Sequence, residues 1–521
     1  MPNENRWQGT LAADAESERQ DRDAVRPGPG CGGTEGGDRS LETGQSPAEE
    51  PWLAVLEHCQ GRSVEAHTFE YRKVGRDPAL MPDCRAAADA LQEFLRRYAC
   101  ELSAYFRQIP RERKEGKCAY TSATLLWTAV LGLMLHLTSR NQMDMRRNEE
   151  NFARAVFSLS GQPVPDGVVP NAACSGTVTG LLGATKPEIL AMALELLVRK
   201  MLRSKLFEKG RLFGRIAVAI DGTKQESARG KNLTAKEKIR NVLEAKIVTP
   251  WNWSIPIMGE PVDPWTTEAE KQDCEMKAFY RLAPRLKAAF PRLPICILGD
   301  ALYACAPIVE CCRNFNWSYL LTCKEGRTPN MMKAVAKVLG KAPREHADAI
   351  SGEGRTGTVG WVNRDEIEYE TGAEALGNVV VVRETEPGED GEEVVVYNGA
   401  FLTDLPVEGG VRATEMSDWG RRRWKIENGF HTLKSKDGFG LGHTFCNNET
   451  ARRNMHTLMN IAHALWQVFY SGWLRRLERG TRKETQKGWA LILHATIIAR
   501  GIARDLFGTR PLYRMSRAWI E

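Results

Sequence analysis

A chain of 521 residues that is 42% hydrophobic, 26% charged and 8% aromatic has the make-up of a globular protein of about three or four domains. No apolar run approaches the ~18–20 residues of a bilayer span, the N-terminus has no apolar signal core, and 13 scattered cysteines form no disulfide framework. The expectation is a cytoplasmic protein with reduced thiols and no membrane partner; its formal charge of +6 is too small to name any other partner.

Residues 1–50 are rich in Gly, Glu, Asp, Arg and Ser and cannot bury enough apolar surface to offset their ordering entropy, which predicts a disordered tail. Residues 51–209 turn helical. Leu91, Phe94, Leu95, Tyr98 and Leu102 recur at three- and four-residue steps, and Leu125 to Leu137 reads as a buried helix. Ile189, Met192, Leu196 and Met201 suggest the apolar face of a helix that begins after Lys186-Pro187.

The texture changes at Ile216. The run Ile216 to Ile220 reads as a buried strand that ends in a turn at Asp221-Gly222. Ala245 to Val248 and Trp253 to Met258 suggest a hairpin around Thr249 to Asn252. Cys274 to Phe290 is an amphipathic helix, Ile295 to Leu298 a strand closed by Gly299-Asp300, Pro307 to Asn314 a helix and Tyr319 to Thr322 a strand. Alternating strands and helices predict an α/β layer on a mixed sheet over 210–330. Residues 331–405 carry β-rich runs at Val359 to Val362, Ile367 to Tyr369, Val379 to Arg383 and Val394 to Tyr397, which read as an insertion in that layer. Residues 406–470 return to that core, the chain reads as helical after Asp418, and a C-terminal helical region fills 471–521.

Two acids follow strands: Asp221 after Ala219-Ile220, and Asp300 after Leu298-Gly299. Sheets of this class place ligands on that rim, although either aspartate alone reads as readily as a turn or a cap. A third acid lies in Gly420 to Lys434. At ~100° per residue, Arg423, Glu427 and Lys434 share one helical stripe, while Ile426, Phe430 and Leu433 make an apolar stripe elsewhere. Such an acid between two bases suits a catalytic helix or a solvated ladder of ion pairs.

Asp-Gly, then a strand-end Asp, then Arg423-(3)-Glu427-(6)-Lys434 after a β-rich stretch resembles the DDE transposases of bacterial insertion sequences. The closer resemblance is to the subgroup with a Tyr-(2)-Arg-(3)-Glu-(6)-Lys signature, and it runs from Ile216 to Trp466. One position departs: Gly420 stands where the signature has Tyr, with Trp419 beside it.

The resemblance implies an RNase H-like α/β core interrupted by a β-rich insertion and preceded by an all-helical, DNA-binding domain. It implies Asp221, Asp300 and Glu427 as catalytic residues and metal ligands for two Mg²⁺ ions, with Mn²⁺ as the alternative. Hard cations take oxygen ligands, and a pair of them activates the attacking oxygen and stabilises the leaving one. Arg423 and Lys434 would hold phosphate. The implied activity is cut-and-paste transposition: cleavage at the ends of an insertion sequence and strand transfer into a target. The implied partners are double-stranded DNA, both ends and target, and a second copy of the chain in a homodimeric synaptic complex.

Further basic residues extend this reading. Lys224, Arg229, Lys231, Lys236 and Lys238 follow Asp221 and suit contact with the DNA backbone, or form a solvated loop. Trp361 would stack on a flipped base, as an insertion aromatic does in related transposases, or is a buried sheet residue. Arg140, Arg146, Arg147, Asn148 and Asn151 could line a recognition surface in the helical domain. Cys305, Cys311, Cys312 and Cys323 match no zinc spacing and read as buried thiols. Two alternatives stay open: a related nuclease or recombinase that cuts without transposing, and a domesticated, catalytically silent DNA-binding protein.

Overall fold

The computed structural model describes residues 84–111, 118–225, 241–262, 267–324, 326–341, 347–352, 355–368, 375–387, 392–435, 438–441, 445–477 and 486–500. The tail expected at 1–50 lies outside them.

The helical part runs α1 (Cys84–Tyr98), α2 (Cys100–Gln108), α3 (Ser122–Met134), α4 (Arg140–Arg146), α5 (Glu150–Ser160), α6 (Ser175–Ala184) and α7 (Pro187–Arg203). Every residue of α3 is buried, as an all-round apolar helix requires. The Thr121 hydroxyl caps it by accepting from the Thr124 amide, and the buried Trp127 Nε1–H donates to Ser103 Oγ at 2.8 Å. Proline opens α7, where its missing N–H costs nothing. The buried face of α7 differs from the expected one: Leu190, Leu194, Leu197, Val198 and Met201 face the core, and Met192 is 40% exposed. Positions i, i+4, i+7, i+8 and i+11 form a denser apolar arc than the Ile189–Met192–Leu196 stripe, and the denser arc is the one buried.

The chain then builds a nine-stranded sheet in the order β3-β2-β1-β4-β5-β9-β8-β7-β6. The first strands are β1 (Ile216–Lys224), β2 (Asn241–Val248), β3 (Ser254–Val262), β4 (Ile295–Gly299) and β5 (Ser318–Cys323). Strand β1 runs antiparallel to β2 and parallel to β4, and β4 runs parallel to β5. The sheet is therefore mixed. One expectation is corrected here: β1 does not end at Ile220. Its pairing with β2 continues through Asp221↔Glu244 to Lys224↔Asn241, so Asp221 sits inside a strand, because β2 supplies a backbone partner beyond the apolar run.

Strands β6 (Ala347–Gly352), β7 (Arg355–Val362), β8 (Asn378–Pro387) and β9 (Glu393–Thr403) make up the β-rich stretch. They extend the same sheet, since β9 pairs antiparallel with β5 through Leu320↔Thr403. Ile367 is not in a strand: a single 3₁₀ turn, Arg364–Glu366, precedes it, and the Asn363 and Glu366 side chains cap that turn reciprocally. Tyr369 lies outside the described residues. Strand β6 has too few β-branched residues to declare itself and is held by pairing with β7.

Helix α8 (Glu268–Ala289) covers one sheet face, where Arg281 Nε meets Glu260 of β3 at 2.8 Å. Next come α9 (Ala306–Asn314), α10 (Pro329–Lys341), α11 (Gly410–Arg421), α12 (Lys425–Lys434), α13 (Glu449–Gly472) and α14 (Gln486–Arg500). The long α13 joins the helical part to the sheet. Its Asn454 Nδ2 donates to the carbonyls of Leu182 and Thr185 at 2.7 and 2.6 Å. On the other side, the Gln467 amide satisfies both backbone groups of Ser254 on edge strand β3, at 2.7 and 2.8 Å. The described residues thus form one unit around a continuous core. Among the described residues no helix is long and apolar enough to cross a membrane.

Candidate active site

Two of the three candidate acids are aligned by sheet register alone. The parallel pairing of β1 with β4 ends at Ala219↔Leu298, and Asp221 and Asp300 each lie two residues beyond that pair. They therefore stand at the same end of adjacent strands, which run ~4.8 Å apart. Asp300 also performs the local task that its position suggests, accepting from the Leu302 amide at 2.9 Å to set the turn after β4.

The third acid arrives from α12. Between α11 and α12 the chain tightens into one 3₁₀ turn, Arg422–Trp424, and Arg423 in that turn is 8% exposed. Its Nη1 lies 3.2 Å from Glu427 Oε1 and 3.5 Å from Asp221 Oδ2. The Arg423–Glu427 side of the expected stripe thus faces Asp221, while Ile426, Phe430 and Leu433 are buried as the apolar stripe required.

The electrostatics match this convergence. Burial pushes the Asp221 carboxyl from 3.8 up to about 6; Arg423 opposes the rise, and the negative charges of Glu427 and Asp300 add to it. The Gly222 amide donates to Asp221 Oδ1 at 2.8 Å, also favouring the ionised form. Partial burial lowers the ammonium of Lys434, at the far end of α12, while Asp221 attracts it.

Among the described residues, no three His, Cys, Asp or Glu side chains stand together closely enough to hold one metal ion. The donor chemistry suits a hard divalent cation, which takes carboxylate oxygens: Arg423 spans Asp221 and Glu427, and the charge of Asp300 reaches Asp221 from the neighbouring strand.

The remaining sequence candidates scatter. Lys224 ends β1 and is exposed, on the side of Lys434. Arg229, Lys231, Lys236 and Lys238 lie outside the described residues. Trp361 is 8% exposed in β7 and packs in the core, which is the buried alternative for that residue. Arg140 holds Ser175 Oγ at 3.1 Å, and Arg146 pairs with Glu149 at 2.7 Å, so both arginines have structural partners. Gly420 has a packing reason: a Cβ there would run into the Phe401 ring of β9. Trp419 is 3% exposed, with the Arg422 guanidinium 4.7 Å above its ring. Burial raises all four thiols from Cys305 to Cys323.

Sequence reasoning passed over a sealed charge cluster next to the rim. Glu244 and Lys246 of β2 are both 0% exposed and lie 2.7 Å apart. Glu244 Oε1 also meets His456 Nε2 at 2.7 Å and accepts from Asn460 Nδ2 at 2.9 Å, both from α13. Burial alone would raise the Glu244 carboxyl, but Lys246 and His456 outweigh it and hold it far below the usual range. Burial and the Lys246 charge keep His463 well below the usual histidine value. A signal was present: His456, Asn460, His463 and Gln467 fall at i, i+4, i+7 and i+11, one polar stripe along α13.

Against known proteins, residues 275–465 match a family model described as "Transposase DDE domain". That segment includes Asp300, Arg423, Glu427 and Lys434 and begins after Asp221. No curated protein matches the sequence. Among solved structures, the chain is similar to one described as a cryo-EM structure of the piggyBac transposase synaptic complex with hairpin DNA, at 10% identity and a TM-score of 0.34, over 80% of this chain and 84% of that one.

Proposed function

We propose that this chain is a metal-dependent DNA transposase with an RNase H-like core, of the kind encoded by bacterial insertion sequences. Asp221, Asp300 and Glu427 are its catalytic carboxylates. The observation that carries the reading is that Arg423 is shared between Asp221 and Glu427, far apart in sequence, and that Glu427 and Asp300 both add to the rise of the half-buried Asp221 carboxyl. The match of residues 275–465 to a transposase DDE domain supports it independently, and the mixed sheet agrees with the RNase H-like core.

In this reading the three carboxylates hold two Mg²⁺ ions, with Mn²⁺ able to replace them. Bound there, such ions activate the attacking water or 3′-hydroxyl and stabilise the leaving oxygen. Arg423, held by Asp221 and Glu427, presents a fixed guanidinium at the rim, where a phosphate needs two parallel donors. Lys434 adds an ammonium from the end of the same helix, and Lys224, with the basic residues after it, follows the DNA backbone. Cutting both ends in one assembly requires two such sites, hence a homodimer on paired ends.

The test incubates the protein with duplexes from the ends of its own element and Mg²⁺, wild type beside Asp221→Ala. End cleavage with joining to a target, lost in the variant, is the expected result. Cleavage without joining favours the nuclease reading, binding alone favours the silent one, and an inert wild type that binds no DNA sinks all three.

A further inference from the structure

We propose that Lys246 is a positioning residue for the carboxylate rim: the buried Lys246–Glu244 pair fixes helix α12 against β2 and so sets where Glu427 stands relative to Asp221. The inference rests on the proposed reading of that rim.

The geometry begins with register. Asp221 faces Glu244 across the β1–β2 ladder, and Ala219 faces Lys246, so the side chains of Asp221, Glu244 and Lys246 project from one face of the sheet. Helix α12 lies on that face. Lys246 Nζ is 4.1 Å from the centroid of the Phe430 ring, three residues along α12 from Glu427. The approach is close because α12 presents Gly429 there: a Cβ at that position would lie 2.8 Å from Ser254 Oγ and 3.5 Å from Lys246 Nζ. Glu244 then ties the ammonium to α13 through His456 and Asn460. One fully buried cation thus touches the strand paired with β1 and the helix that carries Glu427.

Stability does not account for this arrangement. A buried ion pair is about neutral, or worse, against apolar residues of the same volume, whereas it is strict about geometry. Metal ligands lean on such outer partners, whose loss lowers metal affinity roughly 10- to 100-fold.

The test titrates Mn²⁺ alone into the full-length protein by calorimetry and separately measures turnover and affinity for end DNA. Four proteins are compared: wild type, Asp221→Ala, the double variant Glu244→Gln/Lys246→Met, and Phe430→Leu. The double variant removes both buried charges together, so that neither is stranded. It is expected to unfold cooperatively near the wild-type midpoint, to bind Mn²⁺ roughly tenfold or more weakly, and to lose turnover at saturating DNA with its DNA affinity within about twofold. Phe430→Leu, which removes only the ring beneath the ammonium, is expected to shift Mn²⁺ affinity the same way by a smaller factor, and it carries the test if the double variant does not fold. Wild-type Mn²⁺ affinity in a folded variant overturns the proposal. Wild-type Mn²⁺ binding that depends on Asp221, without action on DNA, overturns the transposase reading and leaves the positioning role standing or falling on Mn²⁺ affinity alone. A wild type that takes up no Mn²⁺ overturns both.

Discussion

Asp221 and Glu244 are direct neighbours across the β1–β2 ladder, yet they belong to opposite kinds of charge cluster. At the rim, Asp221 and Glu427 share Arg423, and burial with the charges of Glu427 and Asp300 pushes the Asp221 carboxyl up to about 6. In the sealed cluster, Glu244 has a cation on one oxygen, a histidine and an amide on the other, and its carboxyl is held down. One cluster is short of positive charge and partly open; the other is matched and closed. A surplus of like charge at an accessible rim marks a place where a ligand belongs, whereas charges paired at full burial mark a place closed to ligands.

Four measurements sharpen or break that contrast. The largest effect is expected from Asp221→Ala: loss of end cleavage by on the order of a thousandfold or more, with DNA affinity nearly unchanged. Equal activity in wild type and variant would remove Asp221 from the chemistry. Glu244→Ala should act on folding instead. It strands Lys246 without its partner at full burial, and denaturant unfolding should report a loss of about 3–5 kcal/mol. A near-neutral result would mean that the sealed cluster is wetter or looser than its distances indicate.

The third measurement uses pH and needs its sign. The folded carboxyl of Asp221, about 6, lies above the ordinary 3.8, so the folded state binds the extra proton between those values and loses stability as pH rises through that window. Without divalent ions, Asp221→Asn should therefore match wild type near pH 3.5 and gain on it toward pH 7, by at most about 3 kcal/mol. A variant less stable than wild type at pH 7 would show that Arg423 more than offsets the acid surplus. Gly420→Ala tests packing beside the rim with no change of charge. Its new methyl must displace the Phe401 ring, at a cost of about 1–3 kcal/mol in thermal or denaturant unfolding, and Phe401→Leu should relieve part of it.

Much of this was legible in the chain. The apolar runs of β1, β4 and β5, the mostly apolar α3 and the apolar stripe Ile426–Phe430–Leu433 follow from local periodicity, because a strand or helix face repeats within a few residues. The spacing of Arg423 and Glu427 likewise contained their ion pair, since i and i+4 are neighbours on a helix. The extent of β1 was not legible: after Ile220 the apolar signal stops, while the backbone bonds to β2 continue. The burial of Trp361 agrees with the buried-sheet reading of its apolar run, Val359 to Val362.

By itself, then, the sequence determined the strongly periodic elements and their order, and it named the candidate acids, because those properties are set by neighbours along the chain. Only the tertiary structure decided that Asp221 and Asp300 stand in register, that Arg423 reaches back to a strand some two hundred residues earlier, and that two charged residues of β2 can be wholly buried. The last depends on partners from α13, with Asn460 lying 216 residues beyond Glu244. A buried charge is tolerable only where its counter-groups arrive in space, and nothing local to β2 records that they do.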